Sequence, residues 1–151
     1  MVDITLLKKL RNETLVSLAD CRKALEESNS DYKKALEVLR KNGLEKAAKK
    51  SDRVTSQGLI ESYIHQNGRV GVLAEILCET DFVARTDIFK NLVHEICMQT
   101  AAMNPKDVKV LLKQEYIRDN SKTIEDLVKE AIAKLGENIV VKRFQRFEIG
   151  E

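Results

Sequence analysis

The sequence lacks most of the features that mark a membrane protein, an exported protein or a nucleotide-binding enzyme. No apolar run reaches the roughly 18 residues that a membrane-spanning helix needs. The opening residues, MVDITLLKKLRNE, do not contain the long uncharged core of a signal peptide. Neither GxxxxGK[ST] nor GxGxxG occurs, so no phosphate-cradling loop is evident. These absences predict a soluble, cytoplasmic protein without membrane contact and without a nucleotide pocket of its own.

Residues that ligate metals or act as nucleophiles are also few. Cys21, Cys78 and Cys97 are widely spaced and form no CxxC pair, which argues against a zinc cage or a disulfide framework and indicates free thiols. The only histidines, His65 and His94, have no Asp or Cys partner at the spacing of a triad or a metal site. We therefore predict no catalytic residues, no metal and no cofactor, and we expect that the protein is not an enzyme.

Charge gives little support for nucleic-acid binding. The formal net charge is only +2, although 33% of the residues are charged and 43% are hydrophobic, as in a folded globular protein. The basic run KAAKK, residues 46–50, can in principle follow phosphates. No aromatic residues interleave with its lysines, so a solvated helix face is the favoured interpretation. We expect no direct nucleic-acid partner.

Three short helices are predicted in the first 43 residues. The first covers about residues 6–13, a Ser17-x-x-Asp20 box opens the second, and Ser30 opens the third. Gly43 is predicted to end the third helix with a left-handed backbone. The basic segment 44–57 is interpreted as a partly helical linker. Residues 1–53 are thus predicted to form a three-helix domain with a basic linker.

From residue 54 onward the pattern becomes mixed. Two apolar runs flank Asn67-Gly68, which predicts an antiparallel hairpin with positive φ angles at its turn. A helix is predicted over Asp87–Met103, a second from a Thr123-x-x-Asp126 box to Gly136, and a last strand in NIVVKRFQRFEI. We therefore predict that residues 54–151 form an α+β core with a three-stranded antiparallel sheet and helices.

The stretch ILCETDFVART, residues 76–86, places an acid and a large ring where the chain leaves the second strand. One interpretation is that Thr80 or Asp81 caps a helix and Phe82 folds inward. The other is that Phe82 points outward and enters a partner. A second ambiguous group, Leu15, Val16 and Leu18, lies in a helix turn, where apolar side chains either cover a small core or form an exposed contact.

Several strings resemble, in the same order, those of the bacterial elongation factor Ts family. They are LRNET with DCRKAL (10–25), RKNGLEKAAKKSDR (40–53), CETDFVAR (78–85) and GENIVVKRFQRFEIG (136–150). CETDFVAR is the most characteristic of them. The resemblance implies a ubiquitin-associated-like three-helix domain (residues 1–53) followed by an α+β core of the dimerisation type (residues 54–151).

The resemblance also implies a function. Members of the family are guanine-nucleotide exchange factors for elongation factor Tu, which they bind in its GDP-bound and nucleotide-free states. The positions that would intrude beside the partner's magnesium site are Thr80, Asp81, Phe82 and Val83. The positions that would dock on its nucleotide-binding domain are Leu10, Arg11, Thr14, Leu18 and Ala19. The alternative is a ubiquitin-associated-like adaptor that binds a protein or RNA without exchange activity.

The chain departs from the family pattern in two places. Leu15-Val16-Ser17-Leu18-Ala19 replaces a Gly-Ala-Gly-Met-Met turn, and leucine and valine resist the positive φ that glycine permits. The segment between Pro105 and the last helix is shorter than in typical members. A compact core with one uncovered sheet face can pair with itself, so a homodimer is a further hypothesis.

Overall fold

The computed structural model describes residues 1–151 and has seven helices and five strands. The helices are α1 (Ile4–Thr14), α2 (Leu18–Glu27), α3 (Tyr32–Lys50), α4 (Asp81–Ala84), α5 (Asp87–Met103), α6 (Val108–Lys113) and α7 (Ile124–Leu135). The strands are β1 (Gln57–Ile64), β2 (Val70–Cys78), β3 (Glu115–Tyr116), β4 (Asp119–Thr123) and β5 (Val140–Glu148). The predicted α+β class is confirmed. None of the helices combines the length and the hydropathy that crossing a membrane would require.

Short polar side chains cap the first three helices. Asp3 caps α1, and the Ser17 side chain accepts a bond from the Asp20 backbone N–H at 3.1 Å, which confirms the predicted start of α2. Asp31 caps α3, so the prediction that Ser30 opens this helix is wrong. Ser30 has a φ of 64°, a left-handed conformation outside the helix. The buried cluster between these helices comprises Leu10, Cys21, Ala24, Leu25, Ala35 and Leu39.

Gly43 does not end α3, contrary to the prediction. The helix continues through it to Lys50, and a Cβ at position 43 would lie 3.3 Å from the Cβ of Ala133 on α7. The glycine therefore allows close approach of two helices, which its sequence neighbours do not reveal. An ion pair between Arg40 and Asp126, 3.1 Å apart, joins the same two helices. α3 thus packs against the α+β part of the chain, and the predicted domain boundary at residue 53 stays a prediction.

The main sheet has the order β1-β2-β5 and is antiparallel throughout, as predicted. One face of β2, formed by Val72, Ala74, Ile76 and Cys78, is buried. Phe89 and Ile96 on α5 and Ile124 on α7 belong to the same large cluster. The register of β2 on β5 shifts between Glu75 and Ile76, which indicates a bulge. The opposite sheet face carries no helix and exposes Ile60, Ile64, Leu73 and Phe147.

The other predicted boundaries mostly agree with the structure. α5 covers the predicted residues and ends at Asn104, and α7 begins with a Thr123–Asp126 capping box and ends at Gly136. The β1–β2 turn has a positive φ of 70° at Gly68 but not at Asn67, so only part of its predicted geometry is confirmed. The connection between these strands spans residues 65–69 and is longer than a two-residue turn.

The elements between residues 105 and 123 were not predicted. Here α6 precedes the small β3–β4 hairpin, which is anchored by the fully buried Gln99 of α5. Gln99 donates from Nε2 to the Glu115 carbonyl at 3.1 Å and accepts from the Ile117 N–H at 3.0 Å. Because these bonds join segments distant in sequence, no local pattern could indicate them.

Candidate partner-binding site

The exit of β2 carries an outward aromatic side chain on a single helical turn. The Thr80 hydroxyl caps α4 by accepting a bond from the Val83 N–H at 3.3 Å. Val83 and Ala84 are buried against the core, whereas 81% of the Phe82 side chain remains exposed. The interpretation in which Phe82 folds inward is therefore wrong. The buried pair anchors the turn and leaves the ring free to contact another molecule.

Asp81 lies next to this ring and forms an ion pair within the loop. Its Oδ2 is 2.6 Å from Nη2 of Arg85, and the side chains are 58% and 77% exposed. Exposed ion pairs contribute little net stability, about 0–1 kcal/mol, because water already solvates both charges. Asp81 can therefore release Arg85 for another cationic partner at small cost.

Two carboxylates fix the base of this loop. Glu137, in the α7–β5 connection, accepts from the N–H groups of Glu79 (3.1 Å) and Thr80 (2.9 Å), and from the Thr80 hydroxyl (2.7 Å). Glu79 in return accepts from the Asn138 N–H at 2.8 Å. The Asn138 side chain donates to the carbonyls of Ser51 (3.3 Å) and Arg53 (2.9 Å).

Sequence reasoning gave no role to Glu137 or Asn138. They lie in GENIVVKRFQRFEIG, a string that supports the family resemblance but does not by itself indicate a contact. Their partners are more than 50 residues away along the chain, so the pattern alone carries no signal for the contact. The contacts bring together the end of α3, the exit of β2 and the start of β5.

All three cysteines are free and buried. Burial raises the pKa of each thiol, and that of Cys97 rises to about 12. A higher pKa keeps the thiol protonated, and only the thiolate is strongly nucleophilic. Cys78 also donates to the Thr80 carbonyl at 3.2 Å, beneath the exposed loop.

We expect a thiol-specific reagent at pH 8 to modify the native protein about 100-fold more slowly than the urea-unfolded chain, because the native thiols are shielded and protonated. The checking measurement is a colorimetric thiol titration with and without urea, in which the unfolded chain yields three equivalents. A rapid phase of one equivalent in the native protein would contradict this prediction.

The predicted docking residues of the helical part differ in accessibility. Arg11, Leu18 and Ala19 are exposed, and Thr14 is half-buried, with its hydroxyl donating to the Leu10 carbonyl at 2.7 Å. Leu10 is fully buried. It can therefore support this surface from beneath, and we exclude its side chain from the proposed contact.

The turn between α1 and α2 contains a left-handed residue, although leucine and valine stand here where the family pattern has glycine and alanine. Leu15 has a φ of 56° and ends α1, and its N–H donates to the Arg11 carbonyl at 2.8 Å. For a residue with a Cβ this conformation costs roughly 1–2 kcal/mol. Leu15 and Leu18 are about half exposed, whereas Val16 packs against the small core. Of the two interpretations, the exposed contact applies to the leucines and the core-covering role to the valine.

The remaining candidates form no recognisable site. Nδ1 of His94 lies 3.5 Å from Oε1 of Glu61, and the Tyr63 hydroxyl lies 3.4 Å from Nδ1 of His65. No group of three or more His, Cys, Asp and Glu side chains is arranged to hold a metal ion. Besides the open sheet face, the exit of β2 and the exposed N-terminal turn are the features that point to a macromolecular partner.

These features define a class of α+β proteins in which a helical bundle and a β-sheet with a protruding aromatic loop share one chain. Comparison with known proteins gives the family. The profile described as Elongation factor TS matches residues 79–151. Elongation factor Ts of Thermoanaerobacter sp. (strain X514) is 45% identical over 100% of this chain and 96% of its own length. Elongation factor Ts of Coprothermobacter proteolyticus is 45% identical over 99% of both chains, and the chloroplastic one of Rhodomonas salina is 43% identical over 95% and 87%.

The chain belongs to the elongation factor Ts family. It is thus a translation elongation factor. The alignment with the Thermoanaerobacter protein extends over 196 positions, whereas this chain has 151 residues. The relative therefore carries about 45 residues without a counterpart here.

Proposed function

We propose that the protein binds elongation factor Tu, in its GDP-bound and nucleotide-free states, and promotes GDP release and exchange for GTP. The observation that carries this proposal is the position of Phe82, which is 81% exposed on a turn whose neighbours are buried. A large ring held in water by an anchored turn gains free energy when it enters an apolar slot, by about 1.5–3 kcal/mol for complete burial.

The proposed mechanism is a disturbance of the partner's magnesium and phosphate site. A nucleotide bound with nanomolar affinity is held by about 12 kcal/mol. Much of this binding comes from magnesium and from backbone N–H groups around the phosphates. Phe82 would enter between elements of the partner, and Asp81 would disturb the ligands that position the metal. Because binding energies are linked, GDP must weaken factor binding by the same ratio by which the factor weakens GDP binding.

The second contact in this proposal is the turn between α1 and α2. Leu15 and Leu18 present apolar surface, and the exposed Arg11 lies on the neighbouring helix. Docking of this turn on the nucleotide-binding domain of the partner would place the chain for entry of the Phe82 loop. The role requires no nucleophile, general base or cofactor from this chain. It is expected in the cytoplasm, where its partner takes part in translation.

The decisive experiment mixes this protein with elongation factor Tu that carries a fluorescent GDP analogue and follows the signal by stopped flow. Release that accelerates with factor concentration and then reaches a plateau supports exchange. Binding without acceleration would select the alternative, an adaptor with no effect on the nucleotide. Absence of both binding and acceleration would reject the proposed function.

We also propose that the open face of the sheet pairs with a second copy of the chain. Ile60, Ile64, Leu73 and Phe147 are each more than half exposed on this face. Gly71 pairs with Ile64 on one side and Phe147 on the other, which leaves a shallow apolar groove between two larger side chains. An isologous contact would bury the same residues of both copies.

Light scattering at micromolar concentration should therefore give twice the 17.2 kDa mass of the chain. Leu73→Arg should return the mass to that of a monomer, because an unpaired charge would be buried at the centre of the contact. The exposed Ile4 of α1 lies away from the sheet, and Ile4→Arg serves as the matched control that should remain dimeric. A monomeric wild-type chain would reject the pairing.

A further inference from the structure

The contacts of Glu137 are more extensive than a loop connection requires. Its two carboxylate oxygens accept three bonds, all from Glu79 and Thr80, at 2.7–3.1 Å. These two residues immediately precede α4. Hydrogen bonds to a charged acceptor are stronger than those between neutral groups, because the ionised oxygen attracts each donor more strongly. The backbone that leads into the Phe82 turn is thus held by the connection into β5, the strand next to β2.

The same group of contacts reaches the N-terminal helices. Glu79 accepts from the Asn138 N–H and lies 3.6 Å from Nη1 of Arg53, and Asn138 donates to the carbonyls of Ser51 and Arg53. Ser51 directly follows α3. The exit of β2, which leads into the proposed Phe82 contact, therefore meets the end of α3 at this joint, formed by Glu79, Glu137 and Asn138.

We infer that Glu137 is a positioning residue for nucleotide exchange, whose carboxylate fixes the exit of β2 so that Phe82 meets the partner in one orientation. This inference rests on the proposed function, since it concerns how the loop acts on elongation factor Tu. The physical reason is preorganisation: a loop that is already ordered loses less conformational freedom when its side chain enters a slot. A loosened loop still carries Phe82 but samples orientations that do not fit.

The first measurement reports on the loop without any partner. The chain contains no tryptophan, so Phe82→Trp introduces a single fluorescent indole at the site. In that background Glu137→Gln should increase the fast component of the fluorescence anisotropy decay, because glutamine has one uncharged acceptor oxygen where the carboxylate has two charged ones. Glu130→Gln is the matched control, since Glu130 is also half-buried and charge-paired, with Lys122, but does not touch the loop.

The second measurement is the release of fluorescent GDP from elongation factor Tu at increasing factor concentration. Glu137→Gln should lower the plateau rate about five- to tenfold while the half-saturating concentration changes less than twofold, because docking through the N-terminal helices is retained. Glu137→Asp keeps both acceptor oxygens on a shorter side chain. Its plateau rate should therefore lie between those of the wild type and Glu137→Gln. Circular dichroism and urea denaturation establish that each variant is folded at the assay temperature.

The third measurement is a double-mutant cycle. If Glu137 acts through the ring, Glu137→Gln should slow release by less than a further twofold once Phe82 is alanine. Full additivity of the effects of the two substitutions on the release rate would overturn the inference. It would also be overturned if the plateau rate of Glu137→Gln stayed within twofold of wild type while Phe82→Ala slowed release. Unchanged anisotropy would overturn it as well. A wild-type chain that failed to accelerate release would instead reject the proposed function, and the indole signal would still decide whether Glu137 holds the loop.

Discussion

Phe82→Ala should slow the plateau rate of GDP release from elongation factor Tu by about 10- to 100-fold, because the lost apolar contact is worth about 1.5–3 kcal/mol. Only an interaction gained as the nucleotide leaves changes this rate, and the ring is proposed to enter the partner at that stage. The measurement is stopped-flow release of a fluorescent GDP analogue at saturating factor. Phe82→Leu, which retains an apolar side chain, should retain part of the activity.

Phe82→Ala should have almost no effect on the stability of the fold. Since Phe82 is 81% exposed, removal of its ring costs the folded state little, and the free energy of unfolding should change by less than about 0.5 kcal/mol. Ile117→Ala, which removes another exposed apolar side chain, on the β3–β4 hairpin, is the matched control and should leave release unchanged. Normal release by Phe82→Ala would remove the observation on which the proposed function depends.

The largest effect on stability is expected at Gly58. This residue has a φ of 154° and lies opposite Leu77, and a Cβ there would sit 2.1 Å from the Ile76 carbonyl oxygen and 2.8 Å from the Leu77 Cα. Both obstacles are backbone atoms of the central strand, so no side-chain rotation can relieve the clash. We expect Gly58→Ala to lower the free energy of unfolding by about 3 kcal/mol or more, measured by urea denaturation.

Gly68→Ala separates backbone strain from steric clash. Gly68 also has a positive φ, 70°, but no atom lies within 4 Å of a Cβ placed there. Its replacement should cost only about 1–2 kcal/mol, the penalty of a left-handed residue that carries a Cβ. Equal losses at the two positions would indicate that strand proximity is not what requires glycine at Gly58.

Because β2 leads directly into the Phe82 loop, we also expect Gly58→Ala to reduce exchange at temperatures near its unfolding transition.

Elements that depend on local chemistry were predictable from the sequence. The Thr123–Asp126 box, the Asn104 and Gly136 ends and the β1–β2 hairpin each rely on neighbours within a few residues. For the same reason the class, a helical N-terminal part followed by an α+β part, was correct. The family could also be recognised from the sequence, because CETDFVAR is a continuous string.

Predictions failed where a residue serves a distant contact. The local pattern predicts that Gly43 ends a helix, whereas in the structure Gly43 allows α3 to approach Ala133, 90 positions further along the chain. The α6 segment and the β3–β4 hairpin depend on buried Gln99 rather than on their own pattern. A glycine or a glutamine in sequence does not specify which distant partner it meets.

The sequence by itself determined the starts of α2 and α7, the extent of α5, the β1–β2 hairpin and the identity of the residues at the exit of β2. Only the tertiary structure decided that Phe82 faces water and that Val83 faces the core, since one turn of helix can present either side to the sheet. It also decided that Glu137 closes on Thr80, 57 residues away. Local side-chain chemistry sets where an element begins and ends, whereas the direction it faces depends on which distant surface is available for packing.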